Sequence, residues 1–133
     1  MLLAVDVGNT HTVIGLYRGA ELARHWRVVT REERTADEYG VLLRNLFGSA
    51  DITSPGVAGI VVACVVPPMI QVMQEVSLKY FGPTPLIVGP GVKTGVAILC
   101  DNPREIGADR IANAVAAYER YHDATMPFRV AIS

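Results

Sequence analysis

Leu2-Leu3-Ala4-Val5-Asp6-Val7-Gly8-Asn9-Thr10-His11-Thr12-Val13-Ile14-Gly15-Leu16-Tyr17 is the stretch that decides how this chain folds. Leu2 to Val5 is a continuous apolar run, Gly8-Asn9 breaks it, and Thr12 to Tyr17 is a second stretch rich in strand formers. Arg18-Gly19-Ala20-Glu21 makes a second break before Leu22 to Val29. Two consecutive β-hairpins are therefore expected.

The pattern then changes period. Thr35-Ala36-Asp37-Glu38 has the form of a capping box, and Tyr39, Leu42, Leu43, Leu46 and Phe47 follow at helical spacing. Gly59 to Val66 is an unbroken valine-rich run suited to a strand buried on both faces, and Pro67-Pro68 ends it. Met69, Val72, Met73, Val76 and Tyr80 mark one face of a second helix, and Leu86 to Val88 a short strand. Gly89 to Gly95 is loop by composition. A third helix is expected from near Glu105 to about His122, burying Ile111, Ala114, Val115 and Tyr118, and Arg129 to Ile132 has the look of one more strand. The fold class is α/β: a mixed sheet with a three-strand antiparallel start, then αβαβα, covered by helices.

Composition narrows the partners. The chain has 133 residues, half of them hydrophobic, enough to bury a core, and a formal net charge of −1. That balance gives no long-range attraction to nucleic acid or to anionic lipid. The N-terminal run is too short for a signal peptide or a membrane span, which predicts a cytoplasmic protein. Cys64 and Cys100 are in neither CxxC nor metal-ligand spacing, so free thiols are expected. No repeat or low-complexity tract is visible.

Two short stretches carry chemistry. In Asp6-Val7-Gly8-Asn9-Thr10 a carboxylate ends an apolar run and a glycine with two small polar residues follows. A tight turn there would let backbone N–H groups converge on phosphate oxygens, with the carboxylate close enough to hold Mg²⁺. The same residues also suit an ordinary Gly-Asn hairpin turn with Asp6 as a polar strand end. In Gly107-Ala108-Asp109-Arg110 an acid and a base sit side by side at a helix start, where Asp109 could accept a hydroxyl proton and Arg110 could fork onto a carboxylate or phosphoryl group. An acid favoured in a first helical turn, beside a solvated arginine, is the plainer account of that pair. Lys93-Thr94 lacks the glycine at position 92 that a Walker A loop requires. His11, His25 and His122 show no mutual ligand spacing, and Met69 with Met73 reads as helix core.

Five blocks, taken together, resemble in order and spacing the N-terminal half of type III pantothenate kinases. They are Asp6 to Thr10, Val65-Val66-Pro67, Pro90-Gly91-Val92-Lys93-Thr94-Gly95, Asp101-Asn102-Pro103 and Gly107-Ala108-Asp109-Arg110-Ile111-Ala112-Asn113-Ala114. The resemblance implies the ribonuclease H-like half of the acetate kinase, sugar kinase, heat-shock cognate and actin superfold, in which ATP lies between two similar domains. It implies transfer of the ATP γ-phosphate to the primary hydroxyl of pantothenate, the first committed step toward coenzyme A. Mg²⁺ and a monovalent cation, K⁺ or NH₄⁺, would assist, in a homodimer acting on small molecules.

By position, the resemblance makes Asp6, Val7, Gly8, Asn9, Thr10, His11 and Thr12 the first ATP-phosphate segment, with Asp6 directed to the metal. Asp109 becomes the catalytic base, and Gly107, Ala108, Asp109 and Arg110 contact pantothenate. Cys100 joins that pocket where many members carry a tyrosine, and so brings less contact area and no hydroxyl. Residues 1–127 would form the N-terminal ATPase-like domain. Residues 128–133 would form the first strand of a second domain, leaving a truncated chain with negligible activity alone. The alternative expectation is a non-catalytic nucleotide-binding regulator of the same superfold.

Overall fold

A computed structural model describes residues 1–52, 56–88, 111, 114–116 and 118–119, and the backbone of 129–131. The strands are β1 (Leu2–Val7), β2 (His11–Arg18), β3 (Glu21–Val29), β4 (Gly59–Cys64), β5 (Leu86–Val88) and β6 (Arg129–Ala131), and the helices are α1 (Ala36–Ser49) and α2 (Pro67–Val76). They build one six-stranded sheet in the order β3-β2-β1-β4-β5-β6.

β1 is central because it is apolar on both sides. It pairs antiparallel with β2, from Leu2↔Tyr17 to Val7↔Thr12, and parallel with β4, from Leu2↔Gly59 to Val7↔Cys64. Leu3, Val5 and Val7 join the core under α1 and α2, while Ala4 joins a second cluster with Val13, Val61, Ile111 and Ala114. The alternation follows from strand geometry, which sends successive side chains to opposite faces. Burying one such aliphatic side chain stabilises the fold by roughly 1.5–3 kcal/mol.

β3 lies at the sheet edge and alternates more openly, with Trp26 and Val28 packed toward the α1 side and His25 and Arg27 exposed. Its register against β2 shifts between Leu16 and Tyr17, so Leu22 opposes Tyr17 and packs into the second cluster, on the other face from Trp26.

α1 starts where the capping box predicts. The Thr35 hydroxyl accepts from the Glu38 N–H at 3.2 Å, and Glu38 Oε1 accepts from the Thr35 N–H at 2.9 Å. Tyr39, Leu43 and Phe47 line its buried face, and Phe47 meets Trp26 and Phe81 with ring centroids 5.5 and 5.6 Å apart. The helix ends as Ala50 and Ile52 donate back to the Phe47 carbonyl, with Asp51 in the left-handed region.

β4 stops at Cys64, two residues before the expected Val66, and Pro67 and Pro68 occupy the first two helical positions of α2, where a missing N–H costs no intrahelical bond. Met69, Met73 and Val76 are buried, and the helix continues as a π-helical turn over Ser77–Phe81 closed by Gly82 at φ 102°. Residues 111, 114–116, 118 and 119 are helical, with Ile111 and Ala114 buried on the opposite face of the sheet from α1 and α2. The expected helix ends at Glu105 and His122 lie outside the described residues.

β6 pairs parallel with β5, Leu86↔Arg129 to Val88↔Ala131. Arg129–Ala131 thus lies beside β5 in the six-stranded sheet, and residues 128, 132 and 133 lie outside the described residues. The edge of β5 presents unpaired backbone N–H and C=O groups, and an added strand satisfies them.

Candidate active site

The candidate site sits at the carboxyl ends of β1 and β4, at the point where the chain, having run outward to β3, returns through α1 to the other side of β1. Open α/β sheets bind ligands at such reversals. Asp6 is the penultimate residue of β1 and is 3% exposed. It lies between Val13 of β2 and Ala63 of β4, on the sheet face that carries Ala4 and receives Ile111. Ile111 approaches because Gly15 leaves room: a Cβ on Gly15 would stand 3.2 Å from Ile111 Cγ2.

Gly8 to His11 forms a tight turn, with the Gly8 N–H donating to the His11 carbonyl at 3.0 Å. The glycine is required here by close approach, since its φ is not positive and a Cβ would stand 3.0 Å from that same carbonyl oxygen. Asn9 and Thr10 are exposed at the tip, and His11 is half-buried. Val7 is buried in the α1-side core, and its carbonyl accepts from the Val65 N–H at 3.1 Å. Only its backbone borders the turn.

Thr12 is buried and faces away from Asp6, because it pairs with Val7. Its hydroxyl lies 2.7 Å from the hydroxyl of Thr30, which donates to the Gly8 carbonyl at 2.8 Å, and the Thr30 N–H donates to the Thr10 carbonyl at 2.9 Å. Thr30 is a site residue that the sequence reading missed. Nothing local marks it; it matters through its register with a turn 20 residues upstream.

Cys64 ends β4 beside this site, buried and free, its thiol donating to the Val66 carbonyl at 3.0 Å. Burial pushes the thiol up, as does the negative Asp6 carboxylate, against the opposing effect of the Val66 bond. It is a neutral core residue at physiological pH.

Asp6, Val7, Gly8, Asn9, Thr10, His11 and Thr12 are thus brought to one strand end, though not to one face. Cys100, Gly107, Ala108, Asp109 and Arg110 lie outside the described residues. Among the described residues no group of three or more His, Cys, Asp and Glu could hold a metal. One buried carboxylate beside a turn fits Mg²⁺, which keeps its waters and takes phosphate oxygens, better than a cation caged by protein alone. A cleft of about 320 Å³ lined by Tyr17, Gly19, Ala20, Val115, Ala116 and Glu119 opens at the other end of the sheet, where β1 begins, away from Asp6.

Comparison with solved structures defines the class. The Porphyromonas gingivalis protein assigned as an N-acetylglucosamine kinase superposes with a TM-score of 0.55 at 13% identity, over 76% of this chain and 38% of that one. RuvC of Thermus thermophilus, solved with a Holliday junction substrate, gives a TM-score of 0.55 at 12% identity over 91% and 93%. The sheet order and these two likenesses give the chain a ribonuclease H-like fold. The family profile of type III pantothenate kinases matches residues 2–127, and the chain belongs to that family. Proteins named type III pantothenate kinase from Anaeromyxobacter sp. (strain K) and Myxococcus xanthus are 57% and 56% identical to it over 121 and 122 residues. Those alignments cover 91% and 92% of this chain and 48% of each relative, so the chain spans about half the length of the curated relatives it matches.

Proposed function

We propose that the full-length protein transfers the γ-phosphate of ATP to the primary hydroxyl of pantothenate. The observation that carries this reading is the family match over residues 2–127, which runs through a buried carboxylate at the end of β1 and a tight turn next to it. Phosphoryl transfer asks mainly for positioning and charge neutralisation. Asp6 would hold Mg²⁺, directly or through water, and the exposed tip at Asn9 and Thr10 would meet the ATP phosphates. Mg²⁺ held there would supply neutralising charge to the phosphate oxygens. Val7, Gly8, His11 and Thr12 contribute by shaping the turn.

Asp109 accepts the hydroxyl proton, which a loose transition state releases late. Gly107, Ala108, Arg110 and Cys100 bind pantothenate. A monovalent cation, K⁺ or NH₄⁺, assists. The protein works in the cytoplasm as a homodimer, and among the described residues no helix is long and apolar enough to cross a membrane.

A coupled assay of the full-length protein tests this. ADP should form in proportion to pantothenate, and Asp109→Asn should slow it by about 10²–10⁴-fold. A folded wild-type protein that forms no pantothenate-dependent ADP overturns the proposal. ATP binding without turnover would point instead to a nucleotide-binding regulator.

A further inference from the structure

We infer that Thr30 is a positioning residue for the phosphate turn, aiming the Asn9 N–H outward by holding the Gly8 carbonyl, with Tyr39 tying the next residue, Arg31, to α1. The inference rests on the kinase reading for its consequence in turnover, and on geometry for the brace itself.

Proton accounting gives the direction of the chain of hydroxyls. The Gly8 carbonyl can only accept, so the single hydroxyl proton of Thr30 goes to it at 2.8 Å. The Thr12 hydroxyl, 2.7 Å from Thr30 Oγ1, must then donate to Thr30. Thr12 therefore keeps no proton for a phosphate oxygen in this arrangement. Its part is to hold Thr30.

The peptide between Gly8 and Asn9 is trans, so its C=O and N–H point in opposite directions. With the carbonyl drawn onto Thr30, the Asn9 N–H is turned away from it, at the exposed tip of the turn. The second bond, from the Thr30 N–H to the Thr10 carbonyl at 2.9 Å, grips the other side of Asn9. The carbonyls on either side of the exposed Asn9 are thus held by one residue.

The residue after Thr30 is in turn held to α1. The Tyr39 phenol, 1% exposed, accepts from the Arg31 N–H and donates to the Arg31 carbonyl, both at 2.9 Å. Tyr39 stands on the buried face of α1, so the brace runs from a packed helix to the turn. A preorganised donor is worth more to a bound anion than one that must be ordered on binding.

The test compares Thr30→Val, which keeps shape and the backbone N–H but loses the hydroxyl, with Thr30→Ser, which keeps the hydroxyl. In the full-length protein, Thr30→Val should raise KM for ATP about tenfold and leave KM for pantothenate within about twofold, while Thr30→Ser stays near wild type. An ATP KM within twofold of wild type in Thr30→Val, or equal rises in both KM values that Thr30→Ser does not rescue, overturns the inference. Amide exchange separates this from failure of the kinase reading. If the wild type shows no turnover, Gly8 and Thr30 N–H exchange should still quicken about tenfold in Thr30→Val alone, and unchanged exchange overturns the brace.

Discussion

Asp6 and Thr12 flank the same turn and lie on opposite faces of the sheet: Asp6 pairs with Val13 and faces the Ile111 side, while Thr12 pairs with Val7 and faces α1. A loop that reads in sequence as one phosphate-binding segment is therefore divided in labour. One end presents a carboxylate, the other secures the turn through Thr30.

Asp6→Asn keeps the shape of the side chain and removes its charge. In the full-length protein this substitution should lower kcat/KM for ATP by about 100-fold or more, the scale of losing one electrostatic anchor of a transferring phosphoryl group. Steady-state kinetics with Mg²⁺ titration, run beside thermal unfolding, checks it. A variant that folds and retains wild-type turnover would remove Asp6 from the metal site.

Tyr39→Phe should destabilise the fold by about 1–2 kcal/mol, because the phenol is the hydrogen-bond partner of both the N–H and the carbonyl of Arg31. The ring stays buried, so the loss reports the hydroxyl rather than packing. The urea midpoint measures it at constant m-value. An unchanged midpoint would mean that water replaces the phenol at no cost.

The sequence showed what is periodic or local. The capping box at Thr35 and Glu38, the Tyr39, Leu43 and Phe47 stripe, the strand at Leu86 to Val88 and the central position of β4 all follow from patterns within a few residues. Asp6 at a strand end was legible for the same reason. Thr30 was not, because its role depends on register between β2 and β3, and register is a pairing between distant segments. The opposite orientations of Asp6 and Thr12 follow from the register of β1 against β2. Arg129 to Ala131 was recognised as a strand, but no local pattern says which sheet edge a strand joins. The contact of Asp37 with Lys79 and Tyr80, 42 and 43 residues apart, was equally invisible.

That last cluster has a pH signature. Asp37 Oδ1 accepts from Lys79 Nζ at 2.8 Å and from the Tyr80 hydroxyl at 2.7 Å. These bonds, Lys79 first, hold the carboxyl below its ordinary value of 3.8. The same contact raises Lys79 and Tyr80 above theirs. A depressed carboxyl contributes stability that is complete above its unfolded value and disappears as pH falls through the folded one; raised Lys and Tyr contribute until pH climbs through their folded values. The stability difference between wild type and Asp37→Asn should therefore be flat from about pH 5 to about pH 9 and disappear in acid as pH falls through the lowered folded-state value of Asp37. Salt should shrink it, since all three groups meet solvent. A difference that persists in acid would show that the Asp37 charge is not its source.

Gly40→Ala sets two effects of opposite sign against each other. In an exposed helix the change would stabilise by about 1 kcal/mol through propensity. Gly40 is buried, however, and a Cβ there would overlap the Tyr80 ring. That ring cannot swing aside cheaply, because its hydroxyl is bonded to Asp37, its own backbone carbonyl accepts from Arg44 Nη2 at 2.9 Å, and the Arg44 guanidinium lies 5.6 Å from the ring centroid. Overlap should win, with a net loss of about 1–2 kcal/mol in the wild-type background. Removing the obstacle should reverse the sign: in a Tyr80→Ala background the same Gly40→Ala change should stabilise by about 0.5–1 kcal/mol. Urea denaturation of the four proteins of this cycle checks it, and a Gly40→Ala effect of the same sign in both backgrounds would show that the Tyr80 ring does not decide the residue at position 40.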